Sequence, residues 1–94
     1  MGGGIDLYKI MLVEDDSVIC DEISSLLIRW GYEVRSVVDF TSVTAEFADF
    51  SPQLVLMDIS LPFYNGYYWC SEIRKLSRTP IMFVSSSSDN INIV

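Results

Sequence analysis

Asp58 is preceded by four apolar residues, Leu54-Val55-Leu56-Met57, and followed by Ile59-Ser60-Leu61-Pro62-Phe63-Tyr64-Asn65-Gly66, where a proline and a glycine break the chain. A short apolar run bounded by turn residues reads as a strand buried on both faces of a parallel sheet. In such sheets, ligands bind beyond the carboxyl ends of the strands, which is where Asp58 stands. Two other apolar runs end in groups able to work beside a carboxylate. Residues 8–13 run into Glu14-Asp15-Asp16, and Ile81-Met82-Phe83-Val84 runs into Ser85, the first of four serines. Taken singly, each of these is ordinary: an acid after a strand caps a loop, an acid triplet caps a helix, and serines make turns. Together they bring Glu14, Asp15, Asp58 and Ser85 to one rim. Carboxylates gathered this closely raise one another's pKa unless a cation sits among them. Mg²⁺ is the favoured ion, because it binds through a few carboxylates and waters and readily accompanies phosphate. With the ion in place, Asp58 can attack phosphorus as a carboxylate nucleophile, giving an aspartyl phosphate. Ser85 can then donate a hydroxyl hydrogen bond to a phosphoryl oxygen.

The elements that would position these groups follow from periodicity. Residues 8–13 form a first strand. Ile19, Ile23, Leu26, Leu27 and Trp30 recur at spacings of three and four, predicting a helix with one apolar stripe. Asp16 or Ser17 can cap its start, Asp21 and Glu22 suit its positive end, and Gly31 closes it. Residues 32–38 alternate as a second, outer strand. Residues 39–50 carry Phe40, Val43, Phe47 and Phe50 at helical spacing, with Thr41, Ser42 and Thr44 weakening the helix. Ser51-Pro52 stops it. After the strand that ends at Asp58, residues 67–76 place Tyr68 or Trp69 with Ile73 and Leu76 on one helical face. Thr79-Pro80 breaks the chain before a fourth buried strand at 81–84, and residues 89–94 could open another helix, capped by Ser88 or Asp89. Strand and helix alternate throughout, which implies an α/β fold with a parallel sheet, right-handed crossovers and helices on both faces.

Composition narrows the class. The 94 residues are half hydrophobic and one-fifth charged, which suits a single small folded domain. A formal charge of −7 with no histidine argues against a nucleic-acid or anionic-membrane grip, and is compatible with a cationic cofactor or a basic partner surface. No apolar run approaches the roughly 20 residues that span a bilayer, so membrane insertion is not expected. Cys20 and Cys70 form no CxxC pair and read as structural thiols in a reducing cytoplasm. Residues 1–7, opening on Met1-Gly2-Gly3-Gly4, read as a tag or flexible lead-in to a domain over residues 8–94.

From Tyr8 onward the chain resembles the receiver domain of two-component response regulators. The residues that carry the resemblance are Ile10-Met11-Leu12-Val13-Glu14-Asp15-Asp16, then Leu54 through Pro62 with Asn65-Gly66, then Pro80-Ile81-Met82-Phe83-Val84-Ser85. The resemblance implies a flavodoxin-like (CheY-like) doubly wound sheet of strand order 2-1-3-4. It implies that Asp58 accepts a phosphoryl group from a sensor histidine kinase, and that Glu14 and Asp15 hold Mg²⁺ with the Ser60 backbone carbonyl as a further ligand. Asp16 then belongs to the loop, and Ser85 reorients toward the phosphoryl group as a switch. A narrower resemblance, in Phe63 through Cys70 with Ser85-Ser86 and Asp89-Asn90, is to the OmpR/PhoB-class regulators that respond to bacitracin and other cell-envelope antimicrobial peptides. That class controls transcription through a DNA-binding output domain not present in these residues.

One departure stands out. The family places an essential lysine after a fifth strand, and this sequence ends at Val94 before such a strand; Lys75 matches no active-site position. The receiver is therefore expected to be partial, lacking the fifth strand and its helix. The fourth strand would form an exposed edge that favours a homodimer or domain-swapped oligomer. Two other functions compete with the switch. One is a truncated or pseudo-receiver that only binds protein partners. The other is a Mg²⁺-dependent phosphohydrolase of the haloacid-dehalogenase type, whose pattern has a second aspartate two residues after the nucleophile, where this chain has Ser60.

Overall fold

A computed structural model describes residues 7–84 of the chain. Its elements run β1 (Lys9–Val13), α1 (Ser17–Arg29), β2 (Glu33–Ser36), α2 (Val43–Phe50), β3 (Leu54–Asp58), α3 (Gly66–Arg74) and β4 (Ile81–Val84). The four strands form one parallel sheet in the order β2-β1-β3-β4, the order expected of a CheY-like receiver. Ser85, and the helix expected over 89–94, lie outside the described residues.

Period-two alternation divides the strand side chains between two layers. Met11 and Val13 of β1, Val55 and Met57 of β3, and Ile81 and Phe83 of β4 join Val43, Phe47, Phe50, Trp69 and Ile73 of α2 and α3 in one buried cluster. Fully buried side chains such as Phe83, Met11, Met57 and Ile73 each stabilise the fold by roughly 1.5–3 kcal/mol relative to exposure. On the opposite face Ile10, Leu54, Leu56 and Met82 line a groove of about 360 Å³ with Leu27 of α1. The helices thus lie on both faces, with α1 the one helix on the second among the described residues.

Several local expectations need correction. In α1, Leu27 is buried, but Leu26 and Trp30 are exposed, Trp30 at 64%. The helix turns Cys20 and Ser24 toward β2, where both side chains hydrogen-bond the Ser36 hydroxyl at 3.2 and 3.3 Å. Trp30 is the C-cap and has left the stripe. Asp21 and Glu22 fall beyond the first turn, which contains no acid; the N-terminus is held by Asp16, whose carboxylate accepts from the Val18 and Ile19 N–H groups. Gly31, at φ 95°, follows the C-cap, and its N–H and that of Tyr32 return to the Ile28 and Leu27 carbonyls, the Schellman arrangement. The second strand covers only Glu33–Ser36 of the expected 32–38. The second helix begins at Val43 instead of 39, because Asp39 closes a turn of its own by accepting from the Thr41 N–H and hydroxyl. In α3 the buried face is Gly66, Trp69 and Ile73, while Tyr68 and Leu76 are exposed; Leu76 lies past the last helical turn. Strand β4 is buried on one side only, with Met82 39% exposed at the edge of the described sheet.

Candidate functional site

The register places the acids. Val13 pairs with Met57 in the β1–β3 ladder, so Glu14 leaves β1 beside Asp58 as β3 ends. On the other side Asp58 pairs with Val84, the residue immediately before Ser85. Glu14, Asp15 and Asp58 each offer a carboxylate oxygen within 4.8 Å of the others. Glu14 is 3% exposed and Asp58 1%, whereas Asp15 stands at the solvent rim.

Two buried acids and a third beside them are costly without a counter-charge. Burial pushes the Glu14 carboxyl up to about 7; the Asp16 N–H, donating to it, pulls the other way, and the Asp58 and Asp15 charges push it up further. Glu14 Oε2 accepts that Asp16 N–H at 3.1 Å, and a side-chain hydrogen bond with Asp58 adds to the upward push on the carboxyl. All six basic residues of the chain lie in the described part, yet none is among the groups acting on Glu14. Lys9 reaches the Phe50 carbonyl, Arg35 pairs with Glu46 and Asp49, and Lys75 pairs with Glu72. An all-oxygen pocket of two buried carboxyls and one at the rim, with no basic group beside Glu14, fits a hard divalent cation.

The loop after Asp58 is tightly determined. Phe63 adopts φ 69°, and the Tyr64 N–H donates to the Pro62 carbonyl at 2.8 Å, which together describe the strained form of the γ-turn. Asn65 caps α3, its side-chain oxygen accepting the Tyr68 N–H at 2.9 Å. Ser60 is exposed within this loop. Tyr64 stacks on Tyr68 at 4.3 Å between centroids, and both meet the buried Trp69 edge-on. Of the residues expected from sequence, Glu14, Asp15 and Asp58 are brought together; Ser85 is outside the described residues. Gly66 sits so close to the main chain of Asp58 that a Cβ there would overlap the Asp58 carbonyl oxygen, a contact the sequence reading did not include. Its signal was the Asn65-Gly66 pair standing at a cap and first helical position.

Residues 10–94 match the family model described as the response regulator receiver domain. The transcriptional regulatory protein YvcP of Bacillus subtilis is 44% identical over 88 residues, covering 94% of this chain and 37% of that protein. The chain thus spans little more than a third of that relative. A solved N-terminal domain of the nisin resistance regulator NsrR, titled a lantibiotic response regulator, shares 44% identity with a TM-score of 0.81, over 93% of this chain and 74% of that one. A structure of the histidine kinase ThkA in complex with the response regulator TrrA matches at 25% identity and TM-score 0.77, over 87% and 72%; TrrA is from Thermotoga maritima.

Proposed function

Because this chain belongs to the response regulator receiver domain family, we propose that Asp58 is its phosphoacceptor and that Glu14, Asp15 and Asp58, with the Ser60 carbonyl, hold Mg²⁺. The observation that carries this reading is the set of three carboxylate oxygens within 4.8 Å at the carboxyl ends of β1 and β3. Bound there, Mg²⁺ would neutralise charge on the transferring phosphoryl group. Asp58 Oδ forms the new P–O bond, and the donor's P–N bond breaks with its electron pair staying on the donor imidazole. Burial of Asp58 and Glu14 excludes water from one side of the acceptor and strengthens each charge interaction there. Ser85, which follows the strand paired with Asp58, would donate to a phosphoryl oxygen and act as the switch.

The donor is a sensor histidine kinase on this reading, supported by the kinase complex of a similar regulator. The domain is a phosphoacceptor switch, not a turnover enzyme; its own chemistry is limited to taking and losing the phosphoryl group. Similarity to the nisin resistance regulator supports a role in the response to cell-envelope antimicrobial peptides. In a longer protein of this class, DNA binding would belong to residues outside the compared span, and the receiver over 8–94 would act in the cytoplasm. No described helix is long and apolar enough to cross a membrane. The test is incubation with Mg²⁺ and acetyl phosphate followed by intact mass. The wild-type chain gains one phosphoryl group; Asp58→Asn and Mg²⁺-free samples gain none. An Asp58→Asn chain that still takes up the group refutes the assignment.

A further inference from the structure

We infer that Gly66 is a positioning residue for the acceptor: the absence of a side chain there lets α3 seat against the main chain of Asp58 and hold that residue in line with Glu14 and Asp15. The inference rests on the reading of Asp58 as phosphoacceptor. A Cβ at Gly66 would overlap the Asp58 carbonyl oxygen and lie 3.1 Å from its carbonyl carbon and 3.0 Å from Met57 Cγ. Two of these three atoms are backbone of a buried strand, so relief requires moving either β3 or α3. Gly66 does not have positive φ; its requirement is for space, not for a left-handed conformation.

The surrounding bonds show that the seat is built from both sides. The Gly66 N–H donates to the Ile59 carbonyl at 2.9 Å, closing the loop onto the residue next to Asp58. The Asn65 cap starts the helix at this point. Trp69 and Ile73, on the same buried face of α3, anchor it in the core, so the helix cannot simply slide outward. The strained turn at Phe63 lies in the same closed loop, consistent with a segment whose ends are over-determined. An added methyl group would therefore displace Asp58 relative to Glu14 and Asp15, and placement errors near 1 Å at a reacting centre cost on the order of 100-fold.

Three variants of the 94-residue chain separate positioning from stability. Gly66→Ala adds the methyl group; Asn65→Ala loosens the start of α3 without adding an atom; Phe50→Leu perturbs the core at the opposite end of the sheet, where Lys9 begins β1. Each is read for thermal stability, Mg²⁺ affinity by calorimetry, and phosphoryl uptake from acetyl phosphate at saturating Mg²⁺. We expect Gly66→Ala to slow uptake by about tenfold or more and to weaken Mg²⁺, Asn65→Ala to slow uptake about threefold, and Phe50→Leu to lose stability while staying near wild type in both other readings. A folded Gly66→Ala chain with wild-type uptake and Mg²⁺ affinity overturns the inference. If Gly66→Ala does not fold, wild-type behaviour of Asn65→Ala overturns it. If the wild-type chain binds Mg²⁺ but takes up no phosphoryl group, the acceptor reading fails, and the variants' Mg²⁺ affinities alone decide the placement of Asp58. A wild-type chain that does neither overturns both.

Discussion

Glu14 carries the electrostatic cost of the site. Its carboxyl is pushed from 4.5 to about 7, chiefly by burial, so the folded, metal-free protein binds more protons than the unfolded chain between those values. Stability should therefore fall as pH rises from about 4.5 to 7 and stay at its lower level above, the reverse of a salt-bridged acid. Mg²⁺ must displace the same proton, so its apparent affinity should climb by about tenfold per pH unit below 7 and level off beyond. Calorimetric titrations at a series of pH values check both the slope and the plateau. Glu14→Gln should abolish the slope and weaken Mg²⁺ by at least about tenfold, since even outer partners of a metal site carry that much. At this scale the sequence was informative where chemistry follows from strand ends: Glu14, Asp15 and Asp58 converge as their apolar runs implied. It was silent on which acid would be buried, because that depends on how the loop between Val13 and Ser17 folds Glu14 inward and leaves Asp15 at the rim.

Among the elements, caps decided more than propensity. Asp16 receives two helical N–H groups, and Asp16→Ala should cost about 1 kcal/mol in denaturant unfolding. Gly31 has open space where a Cβ would lie but sits at φ 95°, so Gly31→Ala should cost about 1 kcal/mol through backbone strain alone, with Gly31→Asn less harmful. Strands β3 and β4 were legible to the residue, since each is an apolar run between turn signals. The start of α2 was not, because Phe40 fits helical spacing while the Asp39 side chain satisfies a competing turn. The stripe of α1 was misjudged for a similar reason: Cys20 and Ser24 look peripheral in sequence, yet the hydroxyl of Ser36 draws that face toward the edge strand.

At the scale of the whole fold, among the described residues two helices cover one face of the sheet and one covers the other. A parallel sheet with helices on both faces followed from strand-helix alternation, and its order β2-β1-β3-β4 from the family resemblance; the uneven cover followed from neither, since it depends on where each crossover passes. Leu54, Leu56 and Met82 line the open groove beside α1, and β4 is the edge of the described sheet. We expect the 94-residue chain to self-associate with rising concentration in sedimentation, and Met82→Lys to shift it toward monomer, because a charge on an edge strand disfavours strand pairing. A monodisperse wild-type monomer at high concentration removes this expectation. The same architecture places its two indoles in opposite surroundings, Trp30 at 64% exposure and Trp69 at 4%. A neutral quencher such as acrylamide will extinguish the emission of Trp30 and leave that of Trp69. What remains is light from one side chain, three residues from Gly66 and edge-on to Tyr64, so the chain carries its own optical gauge of the loop that follows its acceptor.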